Sequence, residues 1–312
     1  DTLAIFAVLP FMLTLRSFGR GTLISISRTS LVGWGTLLRL TSMTLVSVMG
    51  ALGILPLPGP ILGATAFAAG VFSEMAAVLL GASRYQHLLP GDEADDIGAS
   101  YKAIFNFAIP IVFSGLFSVA INIAMNSVLS KTEHPSLAVS SFSVVRSIAW
   151  FISSMLLAFQ QLSIARARST EDYNNAVKFS TFTILIVTFV LALAAYTPLG
   201  YVLMHYVIGV DGDVLEAATK TLYLTPVLPL IIGVRSFVRG TSIRERFTGS
   251  VLLASAVSLF AAILVGFAIK DVLSVGAMVA VFMWLSANLA EMLVLLFMRL
   301  RAHRKTAGTA HF

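Results

Sequence analysis

Pro10 to Thr22 reads PFMLTLRSFGRGT, and Pro229 to Thr241 reads PLIIGVRSFVRGT. Identical residues stand at Pro10/Pro229, Arg16/Arg235, Ser17/Ser236, Phe18/Phe237, Arg20/Arg239, Gly21/Gly240 and Thr22/Thr241. The same offset reaches Thr29 and Thr248, and two apolar stretches later Glu74-Met75 answers Glu291-Met292. One short match is within chance. A match at the same end of an apolar stretch, followed in order by a second inside another, points to an internal duplication.

Around these motifs the chain is overwhelmingly apolar. Hydrophobic residues make up 57%, charged residues only 12%, and mean hydropathy is +0.91. A soluble domain carries about 25% charge, so this chain cannot cover a water-facing surface. Composition excludes a disordered chain, a fibrous chain and a soluble enzyme, and predicts an all-α polytopic membrane protein. With no cysteine there is neither a disulfide framework nor a Cys-ligated zinc. No basic n-region with a small-residue cleavage site opens the sequence, and a chain starting at Asp1 reads as cut into.

Crossing the hydrocarbon takes about 20 apolar residues. Stretches meeting that test fall at 2–24, 31–53, 58–82, 101–130, 137–165, 178–207, 215–240, 247–269 and 274–300. Pro226, Pro229 and Gly233 are expected to kink or unwind the seventh. Alternate connections are basic: Arg28, then Arg84 and Lys102, then Arg166, Arg168 and Lys178, then Arg244 and Arg246, then the tail with Arg299, Arg301, Arg304 and Lys305. Opposite connections carry Lys131, Lys220 and Lys270 beside Glu133, Asp211, Asp213, Glu216 and Asp271. The positive-inside rule puts the basic side and the C-terminus in the cytoplasm of a plasma or inner membrane. These basic residues read as topology, with no nucleic-acid partner implied.

The longest polar stretch, 83–100, holds Asp92, Glu93, Asp95 and Asp96 and reads as a cytoplasmic linker between lobes. Its carboxylates lack the glycine and terminal glutamate of a calcium loop, and no metal site is expected. Residues 1–82 then form three helices of one lobe, 101–300 a six-helix lobe, and 301–312 a basic tail. The two RSFxRGT copies are an even number of helices apart, so the repeats run parallel, related by an axis along the membrane normal. Equivalence of the copies implies three helices upstream of residue 1 and twelve in all.

The RSFxRGT helix ends, followed by Arg28-Thr29 and Phe247-Thr248, resemble the arginine–glycine turns of the multidrug/oligosaccharidyl-lipid/polysaccharide (MOP) exporter superfamily. MATE multidrug exporters are its best-known relatives. Val207-Ile208-Gly209-Val210-Asp211, leading into Pro226–Gly240, resembles the progressive ankylosis branch. The resemblance implies two lobes around a central cavity and alternating access. It also implies coupling carboxylates in the first helix and, in some relatives, the seventh and tenth. The helices at 101–130 and 215–240 would be the latter two. They offer Asn106, Asn122 and Asn126, with acids only at helix ends, a departure from the usual sodium site.

Intramembrane charges are costly and mark pairs, cavities or relays. Arg39 and Glu74 lie at equal depth on adjacent helices, about 12 Å from the cytoplasmic ends, and are expected to pair. Glu291 is the repeat mate of Glu74, but Ser258 stands where Arg39 would, so Glu291 is expected to lack a cation. A desolvated carboxylate of that kind suits proton coupling, which makes Glu74 and Glu291 the ion-coupling candidates for H+ or Na+. Arg146 lies about 13 Å inside its helix, too deep to snorkel, and a guanidinium there attracts carboxylate or phosphate. Its alternative is a cation–π contact with Phe142 or Trp150. Asn122 and Asn126 share a helix face, and Gln160 and Gln161 add polarity on the next, as cavity lining or as helix–helix hydrogen bonds.

The five histidines avoid any hydrolytic motif, and no HExxH, GxSxG or GxxxxGK[ST] occurs. No enzyme activity and no cofactor are expected. The reading is a monomeric secondary transporter exporting small organic solutes, cations or anions, with the arginines tilting it toward anions. Its partners are the bilayer and a small-molecule or lipid substrate. The rivals are a lipid-linked oligosaccharide flippase of the same superfamily and a non-transporting membrane scaffold.

Overall fold

A computed structural model describes residues 2–88, 100–166, 169–273 and 275–309. Most of the expected linker, with Asp92, Glu93, Asp95 and Asp96, lies outside these residues, as do Arg168 and His311. Among the described residues every regular element is helical. Eight helices are long and apolar enough to span a membrane, and a bent pair makes a ninth span if counted as one. The chain is therefore an all-α, polytopic integral membrane protein. It divides into two compact units, Asp1–Asp96 and Ile97–Phe312.

The first unit contains α1 (Thr2–Ser25), α2 (Thr29–Ala51) and α3 (Gly59–Arg84). Helix α3 packs along both others. Lipid tails are as apolar as leucine, so helices associate where small residues let backbones approach. A Cβ on Gly70 would run into Met43 and come within 3.0 Å of Arg39 Cγ, and one on Gly35 would sit 3.1 Å from Val78. Together with Gly50, whose Cβ would overlap Leu62, these glycines line the α2–α3 seam.

The second unit comprises α4 (Tyr101–Leu129), α5 (Pro135–Ser153), α6 (Ala158–Arg166), α7 (Thr170–Tyr196), α8 (Pro198–Val202), α9 (Gly212–Leu222), α10 (Leu228–Arg244), α11 (Thr248–Ile269) and α12 (Gly276–Thr309). A 3-10 stretch, Ser154–Leu157, joins α5 to α6, so that Pro135–Ala165 makes one span. The core is built on Phe142, Leu156, Leu191, Met204, Leu222, Leu228, Ile232 and Met283, all fully buried. On α11 the buried residues Ala254, Ser258, Ala262 and Gly266 recur every fourth position and form its small-residue seam.

Two features correct the segment boundaries. The sixth span is not 178–207 but α7, Thr170–Tyr196. Ser169 caps its start by accepting from the Asp172 amide at 3.1 Å, with Glu171 and Asp172 in the first turn. Pro198 stops it and begins α8, which runs into a wide-turn segment, Leu203–Ile208, closed by Gly209 at φ 77°. The seventh span is bent by 44° between α9 and the following Thr225–Arg244 stretch, at Tyr223 and Leu224 just ahead of Pro226, whereas Pro229 lies in the first turn of α10 and Gly233, also expected to kink or unwind the span, lies inside that helix. A bend frees carbonyls that lipid cannot satisfy. Here the Tyr196 hydroxyl donates to Tyr223 O at 3.0 Å, and the two rings stack at 5.8 Å.

The turn after each RSFxRGT helix has one conformation. Arg28 N donates to Leu23 O at 2.8 Å and Ser27 N to Ile24 O at 3.0 Å; Phe247 N donates to Ser242 O at 2.9 Å and Arg246 N to Ile243 O at 3.1 Å. This is the Schellman pattern, whose C′ residue must be left-handed. Ser27 and Arg246 both sit at φ 61°, and they are the non-glycine residues with positive φ among those described. A side chain in that region costs about 1–2 kcal/mol. Ser27→Gly and Arg246→Gly are each expected to raise stability by about 1 kcal/mol, read as a higher thermal-unfolding midpoint in detergent. A fall in midpoint for either would show that the side chain stabilises the turn.

Candidate functional site: two carboxylates held by arginine pairs

Arg16 and Arg20 lie one turn apart on α1 and so share a face. Counted from the helix ends, Arg16 and Glu74 lie at nearly the same depth, about 14 Å in. Arg39 reaches that depth from the start of α2. All three arginines converge on Glu74, whose side chain is fully buried. Arg16 Nη1 and Arg39 Nη1 donate to the same oxygen, Glu74 Oε2, at 3.1 and 3.3 Å. Arg20 Nη2 lies 3.1 Å from Oε1 in ion-pair contact and donates to Thr36 Oγ1 at 3.2 Å.

The second unit repeats the arrangement from the matching residues. Arg235 Nη1 donates to Glu291 Oε2 at 3.1 Å, and Arg239 Nη1 donates to Glu291 Oε1. Arg239 also donates through Nη2 to Ser114 Oγ on α4 at 2.7 Å, so a single guanidinium ties α10, α4 and α12. Glu291 is therefore not the cation-free carboxylate expected from the sequence. Its partners come from α10, not from the α11 position matching Arg39, where Ser258 is buried and donates to Ser255 O at 2.8 Å. Glu74 is held three times over. With both carboxylates charge-paired, the assignment of Glu291 as a free, proton-accepting acid is withdrawn.

The repeat alignment already contained this geometry. Arg16/Arg235, Arg20/Arg239 and Glu74/Glu291 are all matched pairs, and their recurrence together is the signal for a shared site. Measuring Arg16 and Glu74 from their helix ends would have paired them, because α1 and α3 run in the same direction.

The remaining candidates do not converge. Arg146 is half-buried on α5, and no acid, hydrogen-bond acceptor or ring engages it among the described residues. The expected contact with Phe142 or Trp150 is not made: Phe142 is buried in the core, and Trp150 pairs with Trp284 at 6.2 Å. Exposed Ser140, Ser143 and Ser147 accompany Arg146 on α5; Ser143 and Ser147 turn their hydroxyls back to Val139 O and Ser143 O. Asn122 donates to Ser118 O on its own helix at 3.1 Å, and Asn126 is exposed. Gln160 is half-buried; its backbone carbonyl accepts from Ser163 Oγ at 3.0 Å. No hydrogen bond joins Arg146, Asn122, Asn126 and Gln160 to one another among the described residues.

A further ion pair closes one end of the second unit. Arg299 on α12 donates to Thr241 Oγ1 at 3.1 Å and to Tyr173 Oη at 3.3 Å, lies over the Tyr173 ring at 5.3 Å, and reaches Glu245 at 3.5 Å. Comparison with protein-family models, curated proteins and solved structures finds no match.

Proposed function

We propose that the protein is a secondary active transporter of the MOP type, working by alternating access and taking small organic anions. The observation that carries this is Arg146. A guanidinium about 16 Å inside a spanning helix, with no partner among the described residues and exposed serines on the same helix, is untenable against lipid and calls for a wet cavity. A scaffold has no use for such a group. Its planar donors suit carboxylate or phosphate.

Support for duplicated parallel lobes comes from the repeat. It extends from sequence to the φ of the turn residue and the two-arginine grip on each glutamate. Gly240 packs against Gln160 and Ser163 of α6, whereas Gly21 has open space within its own unit. We read that open face as the place where further helices of a six-helix first lobe pack, giving twelve. The basic ends of the spans face the cytoplasm in this reading. The coupling ion is not carried on Glu291 as a free acid.

The test is flux in proteoliposomes, with a dicarboxylate and a quaternary ammonium compound as probes. Arg146→Ala is expected to cut dicarboxylate flux tenfold or more, about 1.4 kcal/mol or above in transport free energy, and to leave the cation unchanged. Arg146→Lys should restore part of the loss, since the charge returns without the fork. Equal loss for both probes, or no dicarboxylate flux in the wild type, would refute the reading.

A further inference from the structure

The Glu74 cluster holds more positive charge than its carboxylate can neutralise. Three guanidinium groups meet one carboxylate, whereas the matching cluster in the second unit sets two against Glu291. Glu74 is the sole acidic residue between positions 2 and 88, so no other carboxylate of the described first unit can balance the excess.

The donors are in excess too. Arg16 and Arg39 each spend a single Nη1, both on Glu74 Oε2. The Nε atoms of Arg16, Arg20 and Arg39 are all buried and have no hydrogen-bond partner, three in this cluster against one, Arg235 Nε, in the second. A buried N–H without an acceptor is rare in native proteins and asks for an explanation such as an ion. The Nε edge is the one an arginine uses to hold an oxyanion in a two-pronged grip. The three guanidinium side chains stay 16%, 27% and 30% exposed and carry surplus positive charge, while the Thr36 hydroxyl beside Arg20 is already spent, donating to Val32 O at 3.1 Å.

We propose that Arg16, Arg20 and Arg39 form an oxyanion-binding site in the first unit, taking a phosphate or carboxylate group, and that Arg39 distinguishes it from its counterpart. At Arg39's matching position in the second unit the small Ser258 is sealed into a helix seam, so that cluster lacks the third cation. The site uses none of the residues assigned to transport and stands or falls separately from that function.

The experiment measures thermal unfolding of the full chain in phospholipid-free maltoside micelles. Three additions are compared: sodium phosphate, sodium chloride at equal ionic strength, and phosphatidylglycerol. Phosphate is expected to raise the midpoint saturably where chloride does not, identifying a free anion. A rise with phosphatidylglycerol that phosphate does not reproduce identifies a lipid headgroup as the source of the same chemistry. Arg39→Ser, which gives the cluster the composition of its repeat mate, is expected to weaken the half-saturating concentration about tenfold or more. Arg39→Lys should fall between. Should Arg39→Ser fail to fold, the wild type alone decides. No midpoint rise beyond that of chloride with either additive overturns the proposal, as does an Arg39→Ser variant with unchanged response.

Discussion

Glu291→Ala is expected to cost about 3–5 kcal/mol of stability, the range for removing one partner of a buried ion pair. The reason is not the loss of attraction alone. Arg235 and Arg239 would remain with side chains only 18% and 13% exposed, and of their present partners only the neutral Ser114 hydroxyl on Arg239 would be left. The size of that penalty comes from leaving charge buried without its counter-charge, so removing the cations as well should recover much of it. Arg235→Met combined with Arg239→Met and Glu291→Leu replaces the cluster by apolar groups and is expected to be closer to wild type than Glu291→Ala. Unfolding midpoints in detergent, with size-exclusion profiles to report aggregation, provide the measurement. A triple variant less stable than the single one would mean that the ion pairs contribute more than hydrophobic packing can replace.

Gly240→Ala is expected to be a strongly damaging single-methyl change. A Cβ there meets Ser163 Oγ and the Gln160 backbone, including its Cα at 2.9 Å. Backbone cannot swing aside as a side-chain end can, so α6 and α10 must separate. Overpacking typically costs about 1–3 kcal/mol, and the α10–α6 contact is one of the main ones in its unit. The repeat mate offers an internal control. Gly21 has nothing within 4 Å of a built Cβ, and Gly21→Ala in this chain is expected to be neutral or slightly stabilising, since alanine favours helix by about 1 kcal/mol. Parallel midpoints for the two variants decide it: equal effects would mean that Gly240 is not in close contact with α6.

The spans were readable because each apolar run is longer than any soluble core element needs. Pro226 marked the neighbourhood of the break in the seventh, whereas Pro229 and Gly233, read with it as breakers, sit inside α10. The sixth span was displaced because hydropathy counts Leu199, Tyr201 and Val202 as membrane and Glu171 and Asp172 as not. The capping residue Ser169 and the stop at Pro198 carried the better signal. At the site, residue types and matched positions were visible, but the pairing of Arg16 and Arg20 with Glu74 was not. Two arginines close to a helix end look like snorkelling topology markers, and only their depth relative to Glu74 separates the two interpretations. Nothing in the sequence said that Arg146 would lack even an aromatic partner, because that depends on how Trp150 and Trp284 meet across helices.

The Glu74 cluster also constrains how the chain is made. Helix α1 leaves the ribosome with two arginines and α2 with a third, while the one acid that pairs with them arrives only with α3. Each arginine near a helix centre costs about 2.5–3.5 kcal/mol to insert alone. Until Glu74 emerges, α1 and α2 are poor candidates for lateral release into lipid. The translocation machinery is then expected to hold them at its exit and let the three helices leave as one preassembled bundle, so that biogenesis proceeds in steps of a unit and not of a helix.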